Sequence, residues 1–311
     1  MLKKSLLLAT AALLATAAPV LAKDLKSVGI TVGDLGNPFF SVIVKGAKDK
    51  VQELSGSNTN VTVVSSNFDL GIQFTQIDNF IASGVDMVLL TAADPEAIAP
   101  AVARMKAAGI VAVAVDSYAK GADITVATNN IEAGQKACQY IVDKLQGKGN
   151  VIIMNGPPVS AVTDRVTGCK EVLGKNPGIK ILSDSQNGKA SREGGMAAMT
   201  GLLTAFDKID ALFSINDPQA IGADLAAKQV GRKDFFITSV DGAPDIEAAL
   251  KQSGSLIEAS ATQDPYTIAQ TGIELGYQLM QGKTPAQTTV LIPSVLITRD
   301  NVGQYKGWLS H

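Results

Sequence analysis

Asp34, Asp116 and Asp241 each follow a short apolar run, Gln263 follows another, Asn37 and Asn216 precede helical patterns, and Arg165 stands early in a helix. Ionised carboxylates accept hydrogen bonds, carboxamides accept and donate, and a guanidinium offers a planar fork of donors, so the set can hold pairs of adjacent hydroxyls. Phe39 and Phe40 lie beside Asn37 and can cover C–H patches. A neutral carbohydrate or polyol fits this chemistry. Carboxylates alone can also hydrolyse a glycoside, but that reaction needs an acid raised by an apolar setting, and these aspartates lie beside glycines and serines and are expected to meet Arg165. The one histidine is His311, the last residue, so histidine-based acid–base, triad and metal chemistry has no residue to use. With no G-x-S-x-G elbow, Walker loop, dinucleotide fingerprint or calcium loop, the chain is expected to be no enzyme and to need no cofactor or metal.

The elements that must position these groups follow from the apolar pattern. Val28–Val32 ends at Gly33-Asp34, Val61–Val64 at Ser65-Ser66-Asn67, Met87–Leu90 at Thr91, and Ile110–Val115 at Asp116-Ser117. The theme restarts after Asn130: Val151–Met154 ends at Asn155-Gly156, Ile179–Leu182 at Asp184, Ala211–Ile215 at Asn216-Asp217, and Phe235–Val240 at Asp241-Gly242. Runs this apolar predict strands buried on both faces, hence an α/β chain of parallel sheets with helices on either side and ligand groups along one edge. Asn37-Pro38 reads as a helix cap and first helical position, and Phe40, Val44, Ala47, Val51 and Leu54 form the stripe of the helix that follows. Phe40 is then either core or ligand wall, Asn37 a cap, a ligand contact or both, and Phe39 lies off the stripe.

Leu89–Ile98 resembles Leu212–Ile221, each with an Asp-Pro after a strand, which implies two similar lobes. Asp94 reads as a helix cap. Crossings between lobes are expected near Asp123–Asn130, after Gln263, and at Pro293, giving a three-crossing hinge and a closing cleft. The predicted division is 1–22 as an export signal, 23–128 plus 264–292 as one lobe, and 129–263 plus 293–311 as the other. Lys3 and Lys4, the apolar run Leu6–Leu14 and the small-residue site Val20-Leu21-Ala22 predict export, with Ala22 the last residue removed. Losing Lys3 and Lys4 takes the basic count from 27 to 25 against 29 acidic residues, a net charge near −4 that argues against nucleic acid. In an oxidising compartment Cys138 and Cys169 are either paired or two small buried residues.

At Asn37-Pro38-Phe39-Phe40, Asp116, Arg165, Asn216-Asp217, Asp241-Gly242 and Gln263, and along Val159–Arg165, the chain resembles the ribose-binding branch of the periplasmic sugar-binding proteins that serve ABC importers. The resemblance covers essentially the whole mature chain. It implies the type I periplasmic binding protein fold, two doubly wound parallel-sheet lobes, a monomer in the periplasm, an inner-membrane permease as partner, and in some relatives a chemotaxis receptor. It also implies that Phe39 and Phe40 pack on or beside a sugar and that Asn37, Asp116, Arg165, Asn216, Asp241 and Gln263 bond its hydroxyls. Two departures bear on the ligand. Ser117 stands where ribose binders carry an arginine, and no aromatic occurs in Gly188–Arg192, where they place one. Asp34 adds a carboxylate at the first turn, and Ser117 joins it as a candidate contact. Ribose is thereby put in doubt, and a linear polyol or another monosaccharide becomes equally plausible.

Overall fold

The computed structural model describes residues 23–308, so the export signal expected over 1–22 and the lone His311 lie outside the described residues. The first lobe is built on a sheet of six parallel strands. In spatial order these are β2 (Asn60–Ser65), β1 (Ser27–Val32), β3 (Met87–Leu90), β4 (Val111–Val115), β5 (Ile124–Thr128) and β11 (Thr289–Ile292). The second repeats the plan with β7 (Gly178–Ser183), β6 (Lys148–Met154), β8 (Ala211–Ser214), β9 (Phe236–Asp241), β10 (Ile257–Thr262) and β12 (Leu296–Thr298). In each sheet the chain reverses its direction of travel beside the first strand, between β1 and β3 and between β6 and β8. Such switch points leave a crevice at the strands' carboxyl ends.

Alternation along the strands feeds two apolar layers per sheet. Met87 and Leu89 face α1 (Pro38–Ser55) and α9 (Pro265–Met280), whereas Val88 and Leu90 face α2 (Leu70–Ala82) and α3 (Ala99–Ala107). In the second lobe Val151 and Ile153 pack with α4 (Asn130–Lys144) and α5 (Ser160–Gly174). Ile152 and Met154 pack with α6 (Arg192–Ala205), α7 (Asp217–Gln229) and α8 (Pro244–Lys251). Full burial fails at the edges. β2 and β7 are only partly covered, because an edge strand has a neighbour on one side, and β12 runs antiparallel to β10 after the Pro293 break.

The repeat is also less regular than its sequence. In the second copy Asn216 caps α7 through Gln219 N at 3.1 Å, and Asp217-Pro218 is its first turn. In the first copy Asp94 accepts from Glu96 N and Ala97 N at 2.9 and 2.8 Å, which caps a turn, and α3 begins only at Ala99. Three chain crossings lie side by side between the lobes. Asn129 N donates to Ile292 O at 2.8 Å, Thr262 N to Val295 O at 2.7 Å, and Thr128 Oγ1 to Gln263 Oε1 at 2.8 Å.

Candidate functional site

The first βα turn forms as the residue types require. Asn37 has extended backbone (φ −84°, ψ 122°), and its Oδ1 accepts from Phe39 N at 3.0 Å, leaving Nδ2 as the group it can offer to the cleft. Phe39 lies off the helix stripe yet is buried, edge-on to Phe40 at 5.3 Å and to Trp308 at 5.8 Å between ring centroids. Trp308 donates from Nε1 to Asp241 O and Gln263 O at 3.0 and 3.1 Å, so the C-terminal segment ties the second lobe's site to the first lobe's aromatic wall. Phe40 serves as both core and wall: it belongs to the apolar cluster under β1 and also lines the cleft.

Arg165 is placed by the pairing of α4 with α5. The two helices approach so closely that a Cβ on Gly134 would stand 2.1 Å from Arg165 O, and one on Gly168 would stand 2.1 Å from Ile131 O. Four residues on from the Gly134–Arg165 contact in both helices, Cys138 and Cys169 are joined in a disulfide with Cα atoms 5.1 Å apart. The guanidinium so held is buried. Nε donates to Asn130 Oδ1 at 2.8 Å, and Nη1 donates to Ile215 O at 2.8 Å and to Asp241 Oδ1 at 3.3 Å, which leaves Nη2 for a ligand.

The two carboxylates that face this arginine end strands in unusual backbone. Asp116 has φ 66° and Asp241 φ 141°, conformations that cost about 1–3 kcal/mol each and gather at binding sites. Both side chains are buried. Burial pushes the Asp116 carboxyl up to about 6; Arg165 opposes that shift, the charge of Asp241 adds to it, and Ser117 Oγ lies 3.5 Å away. Asp241 also rises to about 6 through burial, against the pull of Arg165 and the bond from Gln263 Nε2 at 2.7 Å. Behind Asp241, Asp217 is pushed well up by burial and by Asp241, and it accepts from Ser239, Ser260 and Ala243 N.

Eight of the ten expected residues converge on one cavity between the lobes: Asn37, Phe39, Phe40 and Asp116 from the first, Arg165, Asn216 and Asp241 from the second, and Gln263 from the hinge. These residues line a cavity of about 30 Å³, and beside Asp116 the lobes meet where Tyr118 N of one donates to Ser160 Oγ of the other at 2.7 Å. Both amide atoms of Asn216 are already engaged, Oδ1 by Gln219 N and Nδ2 by Ala190 O. Ser117 and Asp34 lie outside the chamber. Ser117 is buried behind Asp116, its N donating to Val115 O at 2.7 Å. Asp34 is half-exposed, accepts from Gly36 N at 2.8 Å, and lines an outer cavity of about 410 Å³ that shares Asn37 and Ala190 with the inner one. Sequence reasoning missed Phe68, which lines the chamber one residue beyond the polar end of β2, and Asn130, whose acceptor orients Arg165. The polar run Ser65-Ser66-Asn67 signalled the first, and the crossing at Asn129-Asn130 the second.

Comparison with known proteins gives the family and the fold. Residues 28–284 match the family described as periplasmic binding protein domain. The chain is 31% identical over 284 residues to a xylitol-binding protein of Mycolicibacterium smegmatis, covering 90% of this chain and 79% of the relative. It is 29% identical over 276 residues to a ribose import binding protein of Bacillus subtilis, covering 88% and 87%. The fold superposes on the Caulobacter myo-inositol binding protein bound to myo-inositol with a TM-score of 0.83 at 22% identity, over 91% of this chain and 96% of that one.

Proposed function

The chain belongs to the periplasmic binding protein domain family, and from that premise we propose that it captures a small polyol or monosaccharide in the interlobe cleft and presents it to the permease of an ABC importer. It is a binding protein and not an enzyme. The observation that carries the reading is the buried constellation of Arg165, Asp241, Asp116 and Gln263 against an aromatic wall, drawn from both lobes and the hinge. Such buried charged groups need hydrogen-bonding partners, and the vicinal hydroxyls of a sugar or polyol supply them without adding charge.

Closure is the mechanism. Solute bound to one lobe gains contacts from the other only when the lobes meet, so the differential affinity shifts the population toward the closed form that a permease reads. The lobes divide at the three crossings, 23–128 with 264–292 and 129–263 with 293–311. Export through 1–22 with removal after Ala22, a periplasmic location and a monomeric state complete the proposal.

A linear polyol is favoured over ribose, because Arg165 is the one cation among the described residues that line the chamber and the second lobe's loop at Gly188–Arg192 carries no aromatic. Thermal-shift and calorimetric titration with xylitol, D-ribose and myo-inositol test this. We expect xylitol to stabilise the protein most, and stabilisation by ribose alone would refute the preference. Micromolar capture corresponds to about 8 kcal/mol. Arg165→Ala or Asp241→Ala is expected to abolish measurable binding in a folded protein; unchanged affinity in both refutes the site.

A further inference from the structure

Asp241 leaves β9 at φ 141°, and Gly242 follows at φ 72°. A turn of this kind persists only where its surroundings over-determine it. Its N–H groups are held from within the second lobe, Gly242 N donating to Ser260 Oγ at 3.2 Å and Ala243 N to Asp217 Oδ2 at 2.8 Å. Its carbonyls are held by the C-terminal segment. Tyr305 donates from its hydroxyl to Gly242 O at 3.1 Å. Trp308 Nε1 stands 3.0 Å from Asp241 O and 3.1 Å from Gln263 O, and is shared between them. Those are the two strand ends whose side chains meet in the site, where Gln263 Nε2 donates to Asp241 Oδ1.

The segment that supplies these donors is fastened to the second lobe: β12 pairs with β10, and Val302 is buried with Ile246 and Leu250 of α8. Gly307, at φ 70°, makes the left-handed turn that precedes Trp308. The indole then crosses to the other lobe. It is buried, its ring joins the first lobe's apolar cluster, and it stands edge-on to Phe39 at 5.8 Å. Trp308 does not line the inner cavity; with Thr262, Pro293 and Val295 it lines a separate one of about 500 Å³. One side chain therefore grips the backbone of two polar site residues and the aromatic wall opposite them without entering the space a solute would fill.

We propose that Trp308 is a positioning residue for solute capture: its N–H sets the Asp241–Gln263 pair, and its ring, seated on Phe39, ties that setting to the meeting of the lobes. The proposal rests on the polyol reading above. With the lobes apart, the indole stays with the second lobe, to whose backbone it is bonded, and loses the edge of Phe39; with the lobes together it regains that contact and is more deeply buried. A solute that closes the lobes thus completes the brace behind the carboxylate it binds. Because Trp308 is the only tryptophan in the chain, its emission reports this one place.

Calorimetry and tryptophan emission, both with xylitol as probe on the full mature chain, test the proposal in the unaltered protein, Trp308→Phe, Trp308→Ala and Tyr305→Phe, each checked for folding by thermal unfolding. In the unaltered protein, saturating xylitol is expected to shift the emission and to reduce its quenching by acrylamide, with the midpoint that calorimetry gives. Trp308→Phe keeps an aromatic ring against Phe39 and removes the shared donor, so binding weakens about tenfold, in line with the loss of one buried hydrogen bond. Trp308→Ala loses the ring as well and weakens binding further, whereas Tyr305→Phe loses only the bond to Gly242 O and weakens it less than Trp308→Ala does. Where a Trp308 variant does not fold, the emission of the unaltered protein decides. Emission and quenching that stay unchanged while calorimetry shows xylitol saturating the protein, or affinity within twofold of the unaltered protein for folded Trp308→Phe, overturn the proposal and leave the polyol reading standing. An unaltered protein that binds none of xylitol, D-ribose and myo-inositol overturns the polyol reading itself, and the proposal with it.

Discussion

Acidification from pH 7 to pH 5 should weaken solute binding, and the size of the effect can be worked from the two buried carboxyls. Asp116 and Asp241 are both held at about 6 by burial, with Arg165 offsetting part of the cost. A solute hydroxyl that donates to either carboxylate favours its charged form, so binding releases protons and affinity rises with pH. If the hydroxyl returns one such group to its ordinary value of 3.8, about ten of every eleven ligand-free molecules hold that proton at pH 5, and affinity falls about tenfold between pH 7 and pH 5. It falls on the order of a hundredfold if both carboxylates accept, with midpoints that belong to the interacting pair. For ligand-free stability, the raised values mean that the contribution of these two groups is fully present below about 3.8 and is lost as pH rises through about 6. Calorimetry with xylitol at pH 5, 6, 7 and 8, in two buffers of different ionisation heat, measures both the affinity and the protons released. A dissociation constant flat across this range, or one that tightens on acidification, would refute the reasoning by showing that the acids bind as neutral donors or do not touch the solute.

Further expectations concern how the site is held. Gly134→Ala places a methyl group against Arg165 O, where only backbone can yield; we expect a loss of about 1–3 kcal/mol in denaturant unfolding together with weakened xylitol binding, and unchanged affinity would show that the α4–α5 contact does not position the arginine. Replacing Cys138 and Cys169 by serine frees a loop with a sequence separation of 31, which should cost about 3–4 kcal/mol of stability, read from unfolding with and without reductant; equal stability of the two forms would contradict it. Asn130→Ala removes the acceptor of Arg165 Nε and leaves a buried donor unpaired, so we expect weaker xylitol binding together with a loss of about 1–3 kcal/mol in denaturant unfolding, whereas full affinity would assign the Arg165 orientation to Asp241 and Ile215 alone.

The strands, the Asn37 cap, the repeated lobes and the crossings were legible in the sequence because each rests on local rules: apolar runs of strand length, a capping residue before proline, and polar residues where a buried strand meets solvent. The polar ring was legible for the same reason, since strand ends of a doubly wound sheet gather at one edge. The start of α3 at Ala99 was not, because Asp94 caps either a helix or a turn with the same backbone bonds, and packing chose the turn.

By itself, then, the sequence determined which groups reach the cleft's edge and what chemistry they carry. Only the tertiary structure decided how they face one another. Asp34 turns to Gly36 N and the outer cavity, and Ser117 turns behind Asp116, because the turn's own hydrogen bonds and the left-handed backbone of Asp116 direct those side chains. Phe68 reaches the chamber through a positive-φ loop seated on Gly33, and Arg165 meets Asp241 through the close approach of α4 and α5. No local pattern encodes these meetings, because they depend on backbone direction and on the distance between elements far apart in the chain.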